Sequence, residues 1–375
     1  MNADKRRFGL PARFVFICVY LWLVSLAQAA PRWNVQFLYD HADSNFAIED
    51  LDCPTARHCV AAGLIDDKKG HEQGTVVVSS DSGIHWTQYD VKERPISLFF
   101  LSDGLGWMVT DRGLWSTEEG GRSWTKIQTR KGILQTWFLD ANHGFITGLK
   151  GLLEETTNGG KNWAPLQLGA SEKIEGIQSL NFDIIEFRGN HGIIVGAPDG
   201  SAPKIENVGA EKGAASEEKV TVLETLDGGK TWKSASVPVD GELAQVKMSG
   251  KGFAVSLVLY SNPKSPVGSY VFKTQLGTRE GRAIFAERDR VVTDIALLDN
   301  AGAVLATVEP PGNSTQAPIP GKLRMFQSRD LKVWREDDVD YRIVAQRAVI
   351  AAPDATDIWV ATDTGAILKL TELAR

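Results

Sequence analysis

The chain has 375 residues, 43% of them hydrophobic, with 41 Lys+Arg against 47 Asp+Glu. That is enough apolar material for one large core or two ordinary ones, and the acidic balance argues against nucleic acid as the main partner. The 36 Gly and 11 Trp suit many short strands and turns.

Residues 1–29 read as a secretory signal peptide. Lys5, Arg6, Arg7 and Arg13 form a basic start, and Phe14 to Leu26 is apolar but short of the ~20 residues a membrane span needs. Ala27-Gln28-Ala29 is a small-x-small cleavage site, so the mature chain is expected to begin at Ala30 and to be periplasmic or extracellular. An uncleaved N-terminal anchor is the rival reading. Cys18 lies inside the apolar run and not at a lipidation site after it. Cys53 and Cys59 remain, in Asp52-Cys53-Pro54-Thr55-Ala56-Arg57-His58-Cys59, a turn-rich link between two apolar runs. In an oxidising compartment a disulfide closing that hairpin is expected. Metal binding by this pair with His58 would lack a second Cys/His pair at ligand spacing, so no metal is expected.

One phrase then recurs. Ser79-Ser80-Asp81-Ser82-Gly83-Ile84-His85-Trp86 returns around Glu119, Gly121 and Trp124, around Asn158, Gly160 and Trp163, and around Asp227, Gly229 and Trp232. A shortened copy contains Asp330 and Trp334. The pattern is Ser/Thr-x-Asp-x-Gly-x-x-Trp. An Asp or Asn in a turn accepts bonds from backbone N–H groups just ahead of it, Gly permits a positive φ, and Trp buries a large ring with an N–H free to find an acceptor. Glu119 departs from the pattern, and its longer side chain implies a looser corner. Catalytic roles for Asp81 and Asp227 conflict with their repetition, because carboxylates spread around a ring cannot share one active site. The phrase resembles the Asp-box, or BNR repeat, of β-propellers.

The Trp86-to-Trp124 and Trp124-to-Trp163 spacings, 38 and 39 residues, are each about one four-stranded blade. One script of strands a to d gives blades at about 43–91, 92–129, 130–170, 171–238, 241–289 and 290–340, the fifth without a readable box. The last unit, from Ile343, stops after strand c, and Trp33 to Leu38 is expected to supply its missing strand d. The expected fold is an all-β, seven-bladed propeller over residues 30–375, closed by the N-terminal strand, which removes open edges. Four stretches break the period at the b–c turn, at about 65–73, 197–219, 260–268 and 309–321. Insertions gathered at one script position gather on one face, often a binding face.

Repeat style, leader and blade grammar together resemble the photosystem II stability/assembly factor-like family of BNR-repeat proteins. The resemblance implies a non-catalytic seven-bladed propeller that holds partner proteins during assembly, some members using an arginine-rich patch. The alternative is a carbohydrate-active or carbohydrate-binding propeller of the sialidase type. Such enzymes need an arginine cluster, a Tyr nucleophile paired with an acid, and an acid/base carboxylate. The family's Phe/Tyr-Arg-Ile-Pro motif is missing before Ser79, and Arg94-Pro95-Ile96 is only a scrambled echo on the wrong side of it. No zinc-protease helix, nucleophile elbow or phosphate loop is readable, so no enzyme and no cofactor is expected. The candidate site is instead a basic cluster on the d–a and b–c loops of blades two and three: Lys92, Arg94, Arg112, Arg130, Lys131 and Lys150. It points to a protein partner, including one in a membrane or envelope complex, bound by a monomer.

Overall fold

The computed structural model describes residues 32–169, 174–198, 218–260, 268–278, 281–288, 290–298, 302–309, 321–337, 339–340 and 342–371. The expected leader, most of the stretches 197–219, 260–268 and 309–321, and Tyr341 lie outside the described residues. Seven four-stranded antiparallel sheets follow one another around a ring. Blade 1 runs Ser44–Asp52, Cys59–Asp67, Glu72–Ser79 and Thr87–Val91, as strands a to d. Blade 2 is Pro95–Phe100, Gly106–Thr110, Gly113–Thr117 and Thr125–Thr129. Blade 3 is Ile133–Phe138, Gly144–Gly148, Leu153–Thr156 and a two-residue strand d, Ala164–Pro165. Blade 4 is Leu180–Arg188, His191–Pro198, Glu218–Thr225 and Lys233–Val239. Blade 5 is Glu242–Met248, Phe253–Leu259, Ser269–Gln275 and Gly281–Glu287. Blade 6 is Val291–Leu297, Ala303–Val308, Leu323–Ser328 and Arg335–Asp337. Blade 7 takes Ala348–Ala351, Trp359–Thr362 and Ala366–Thr371, and its strand d is Arg32–Leu38 from the other end of the chain.

That closing strand lies antiparallel to Ala366–Thr371, with Trp33 opposite Leu370 and Leu38 opposite Ala366. Trp33 is buried, and its indole N–H donates to Asp337 Oδ2 of blade 6 at 3.1 Å. A disulfide joins Cys53 to Cys59 across the a–b turn of blade 1. One expected insertion needs correction. Strand b of blade 1 reaches Asp67 and strand c starts at Glu72, so most of 65–73 is paired strand and only 68–71 turns. The alternation that marks a strand is hidden there by the run of polar residues.

The recurrent c–d turns share one geometry. The Ser79, Thr117, Thr156 and Thr225 hydroxyls accept the N–H of Gly83, Gly121, Gly160 and Gly229 at 2.9 to 3.0 Å. Asp81, Asn158 and Asp227 each accept, through Oδ1, the N–H of the residue four ahead at 2.9 Å. Glu119 differs, reaching the Ser123 hydroxyl at 2.7 Å. The glycine is needed twice over at Gly229: φ is +87°, and a Cβ there would stand 2.4 Å from the Phe145 ring of blade 3. The turn therefore lets each blade approach the one before it. The tryptophans fill that seam. Trp86 meets Trp359 and Phe37 of blade 7, and Trp232 meets Phe145 of blade 3.

The inner strands a are not paired with one another, so their edge groups need partners from elsewhere. A β-bulge falls at the same place in strand a of blades 1 to 6. Beside it, side chains reach the next blade. Asp50 and Asp52 accept the Leu98 and Phe100 N–H, each at 2.7 Å, and Ser97 donates to the Leu134 carbonyl at 2.9 Å. Asn181 accepts the Lys150 N–H, Glu186 the Met248 N–H, Gln245 the Ile295 N–H and Asp294 the Ile350 N–H. Arg347 of blade 7 closes the circle on the Glu49 carbonyl at 2.7 Å. Each adjacent pair of blades is thus tied, blades 3 and 4 through the b–c turn of blade 3 and the other pairs at the hub.

Candidate functional site

In such a meander the d–a loops and b–c turns lie at one end of the ring, and the a–b loops and recurrent c–d turns at the other. All six candidate cations lie at the first end: Lys92, Arg94, Arg130 and Lys131 in d–a loops, Arg112 and Lys150 in b–c turns. The structure divides them. Arg94 pairs with Glu49 at 2.9 Å, and Glu49 also takes Arg347 at 3.2 Å. Arg112 is 3.5 Å from Asp111. Around blade 2 the cations are therefore interleaved with acids. Counting only loop cations overlooked Glu49, Glu93, Asp111 and Glu154, some of them on strands and brought close only by the fold.

Glu93 fills the corner of blade 2. It accepts bonds from the Thr110 hydroxyl at 2.6 Å, the Trp115 indole at 2.8 Å and Lys126 Nζ at 2.6 Å. Burial opposes its charge, but the bonds from Lys126, Thr110 and Trp115 together hold its pKa below the ordinary value. In blade 3 the same corner is built differently. Lys131 stands where Glu93 stands, two residues before strand a, and Pro165 stands where Lys126 stands, two residues after the turn tryptophan. No long side chain covers the corner, and a groove opens there, lined by Arg130, Lys131, Leu149, Lys150 and Pro165. Arg130 is paired with Glu154. Lys131 and Lys150 are exposed and have no ion pair among the described residues. Lys150 also has φ +55°, unusual for a side-chain-bearing residue. Among the described residues the other non-glycine positions with positive φ, Ser82 and Leu331, belong to the recurrent c–d turns.

A second feature is the channel along the axis, a cavity of about 1010 Å³ lined by the seven strands a. It holds Asp50, Asp52, Glu186 and Asp294, with Lys247 3.7 Å from Glu186. Burial raises the pKa of Asp50, Glu186 and Asp294 and pushes Asp52 up to about 7, against the pull of their amide bonds. The Glu186 carboxylate, above all, raises that of Lys247. Paired acids in a cavity would fit glycoside chemistry, but each of these four already accepts an N–H from the next blade. Their geometry is that of a hub fastening. Among the described residues no group of three or more His, Cys, Asp or Glu is placed to hold a metal ion.

The raised carboxylates make a pH prediction. A folded-state pKa above the unfolded value means that the folded chain binds protons more tightly, so the stability from this group is full below about pH 4 and is lost progressively as pH rises from there through about 7. Asp52→Asn keeps an acceptor for Phe100 and removes the buried charge. It is expected to be more stable than the wild type at pH 8, by at most about 4 kcal/mol for a shift of some three units, and by less than half of that at pH 5. Urea unfolding at the two pH values tests this. A less stable Asp52→Asn at pH 8 would show that the ionised carboxylate holds the hub.

Comparison with known proteins agrees with this architecture. Residues 123–200 match the family model described as photosynthesis system II assembly factor YCF48. The photosystem II assembly lipoprotein Ycf48 of Synechococcus sp. (strain CC9902) is 25% identical over 188 residues, 48% of this chain and 49% of that protein. The photosystem II stability/assembly factor HCF136, chloroplastic, of Oryza sativa subsp. japonica is 27% identical over 116 residues, 30% of this chain and 22% of that one. The chain thus spans half or less of the length of these relatives. In fold, the structure of YCF48 bound to D1 peptide superposes with a TM-score of 0.60 at 16% identity, covering 92% of this chain and 99% of that one. In sequence over residues 123–200, its third blade and the first part of its fourth, and in fold over nearly its whole length, the chain matches the photosystem II assembly factor-like propellers.

Proposed function

We propose that this chain is an exported, non-catalytic scaffold that holds a protein partner, one belonging to a membrane complex, on the d–a and b–c face of the propeller. The observation that carries the reading is the open corner of blade 3. Lys131 and Lys150 have no ion pair among the described residues, and Lys131 stands where blade 2 has the Glu93 carboxylate in a closed network, with Lys150 beside it in the b–c turn. A partner carboxylate on an extended segment would complete the corner as Glu93 does in blade 2. The relatives that match the chain are named as assembly factors, and one solved neighbour carries a bound peptide.

The test is a double variant, Lys131→Glu with Lys150→Glu. Both side chains are exposed, so unfolding should stay within about ±0.5 kcal/mol of wild type. Capture of the partner from an envelope extract should fall about tenfold or more, with a dependence on salt that the variant lacks. Asp227→Ala, on the opposite face, should lower the melting temperature and leave capture by the folded fraction unchanged. Undiminished capture by the double variant would move the binding site elsewhere. Arg94 and Arg112 are poorer probes, because reversing either would set two acids side by side.

A further inference from the structure

Independently of that reading, the opposite face carries its own charge pattern in blades 4 to 6. Lys273 and Arg282 stand directly opposite each other on strands c and d of blade 5. Like charges in such a cross-strand pair are unfavourable, and neither has an ion pair among the described residues. Lys273 Nζ lies 3.8 Å above the Phe253 ring. Burial, then the like charges of Arg282, Lys332 and Lys251, lower the Lys273 pKa, so these four cations share one neighbourhood. Lys230 and Arg329, in the c–d turns of blades 4 and 6, are exposed on the same face. Beside them two apolar side chains point out of their turns: Leu226 is 68% exposed and Val333 72%. The c–d turn of blade 5 carries no readable copy of the recurrent phrase.

The ends of the chain lie on this face as well. Arg32 pairs with Thr371 at the c–d end of blade 7, beside blade 6. The chain therefore enters the propeller on this face, and in the uncleaved-anchor reading the apolar run Phe14 to Leu26 precedes that entry through residues 27–31. The geometry points to a docking surface for an anionic phospholipid bilayer on the c–d face of blades 4 to 6. Lysines and arginines would meet the headgroup phosphates while Leu226 and Val333 enter the interface. Basic residues near such a surface are attracted to it within about a Debye length. The basic groove of blade 3 would then face away from the membrane.

Full-length chain is sedimented with vesicles of phosphatidylcholine containing phosphatidylglycerol, and with phosphatidylcholine alone. The triple variant Lys273→Glu, Arg282→Glu, Lys332→Glu is expected to lose about tenfold or more of the affinity for the anionic vesicles that the wild type shows. Lys332→Glu with Val333→Ser changes only an exposed turn and should lose part of it with an unchanged melting temperature. Because the leader is common to all variants, lysine acetylation supplies a leader-independent readout. Anionic vesicles should protect Lys230 and Lys332 and leave Lys131 and Lys150 reactive. Equal binding to both vesicle types, undiminished binding of both variants, or protection of Lys131 and Lys150 instead would overturn the proposal. Displacement by inorganic phosphate beyond a chloride control of equal ionic strength would overturn it too, showing a site for a free anion and not for a surface.

Discussion

Removing residues 30–40 is expected to leave a chain that aggregates and melts far below the intact protein. The segment contains strand d of blade 7, and without it Ala366–Thr371 becomes an open edge. That edge contains Ile367 and Leu368, both fully buried in the closed ring, and an apolar unpaired edge templates association. The deletion also removes Trp33, whose burial alone accounts for ~3–5 kcal/mol when a large aromatic is lost, and Phe37, which packs on Phe46 and Trp86 of blade 1. A third loss is electrostatic. Asp337 is 4% exposed, and its pKa is raised by burial against the pull of Trp33, Arg335 and Gln327. Taking away the indole donor leaves that carboxylate worse satisfied. Set against a total stability of ~5–15 kcal/mol, the combined loss is large enough to unfold the chain. Trp33→Phe isolates the last effect, keeping most of the ring, and should cost about 1–3 kcal/mol. Light scattering and thermal unfolding decide it. A soluble, monomeric deletion chain with the wild-type melting temperature would mean that blade 7 closes without its N-terminal strand.

Seven blades were legible because a fixed period survives insertions, and because the last unit visibly lacked a strand that Trp33 to Leu38 could supply. The hub was not legible. Asp50, Asp52, Glu186 and Asp294 look like ordinary polar positions in alternating strands, and the amides that they serve lie one blade further along the chain. Nothing local marks a bulge either, since its cause is the curvature needed where strands converge on an axis. The candidate face was half legible. Loop position placed Lys131 and Lys150 correctly at one end of the ring. Charge counting could not see that Arg94, Arg112 and Arg130 would each find a carboxylate, nor that Pro165 in place of a long side chain would leave the blade 3 corner open. A comparison of blades 2 and 3, aligned on Trp124 and Trp163, holds that signal.

Trp232→Ala is expected to cost ~3–5 kcal/mol, near the top of the range for a buried aromatic. The ring is 1% exposed and stands edge-on to both Phe145 of blade 3 and Phe187 of its own blade, with centroids 5.9 Å away in each case. Its removal therefore opens a cavity in the seam between two blades, at a point where Gly229 already lets the turn lie directly against the Phe145 ring. Neither phenylalanine can follow into the space without leaving its own strand. Among the described residues, however, the indole N–H has no acceptor, so the side chain contributes ring burial and bears a desolvation cost. Trp232→Phe should then be far milder than Trp232→Ala, within about 1 kcal/mol of wild type. Trp124 offers the contrast, since its N–H donates to the Gly121 carbonyl at 3.0 Å, and Trp124→Phe gives up that bond as well as part of the ring. Chemical denaturation of the three variants in one buffer reads the order directly. If Trp232→Phe proves as damaging as Trp232→Ala, the N–H is satisfied in solution, by water or by a shift of the turn, and the seam is not held by ring packing alone.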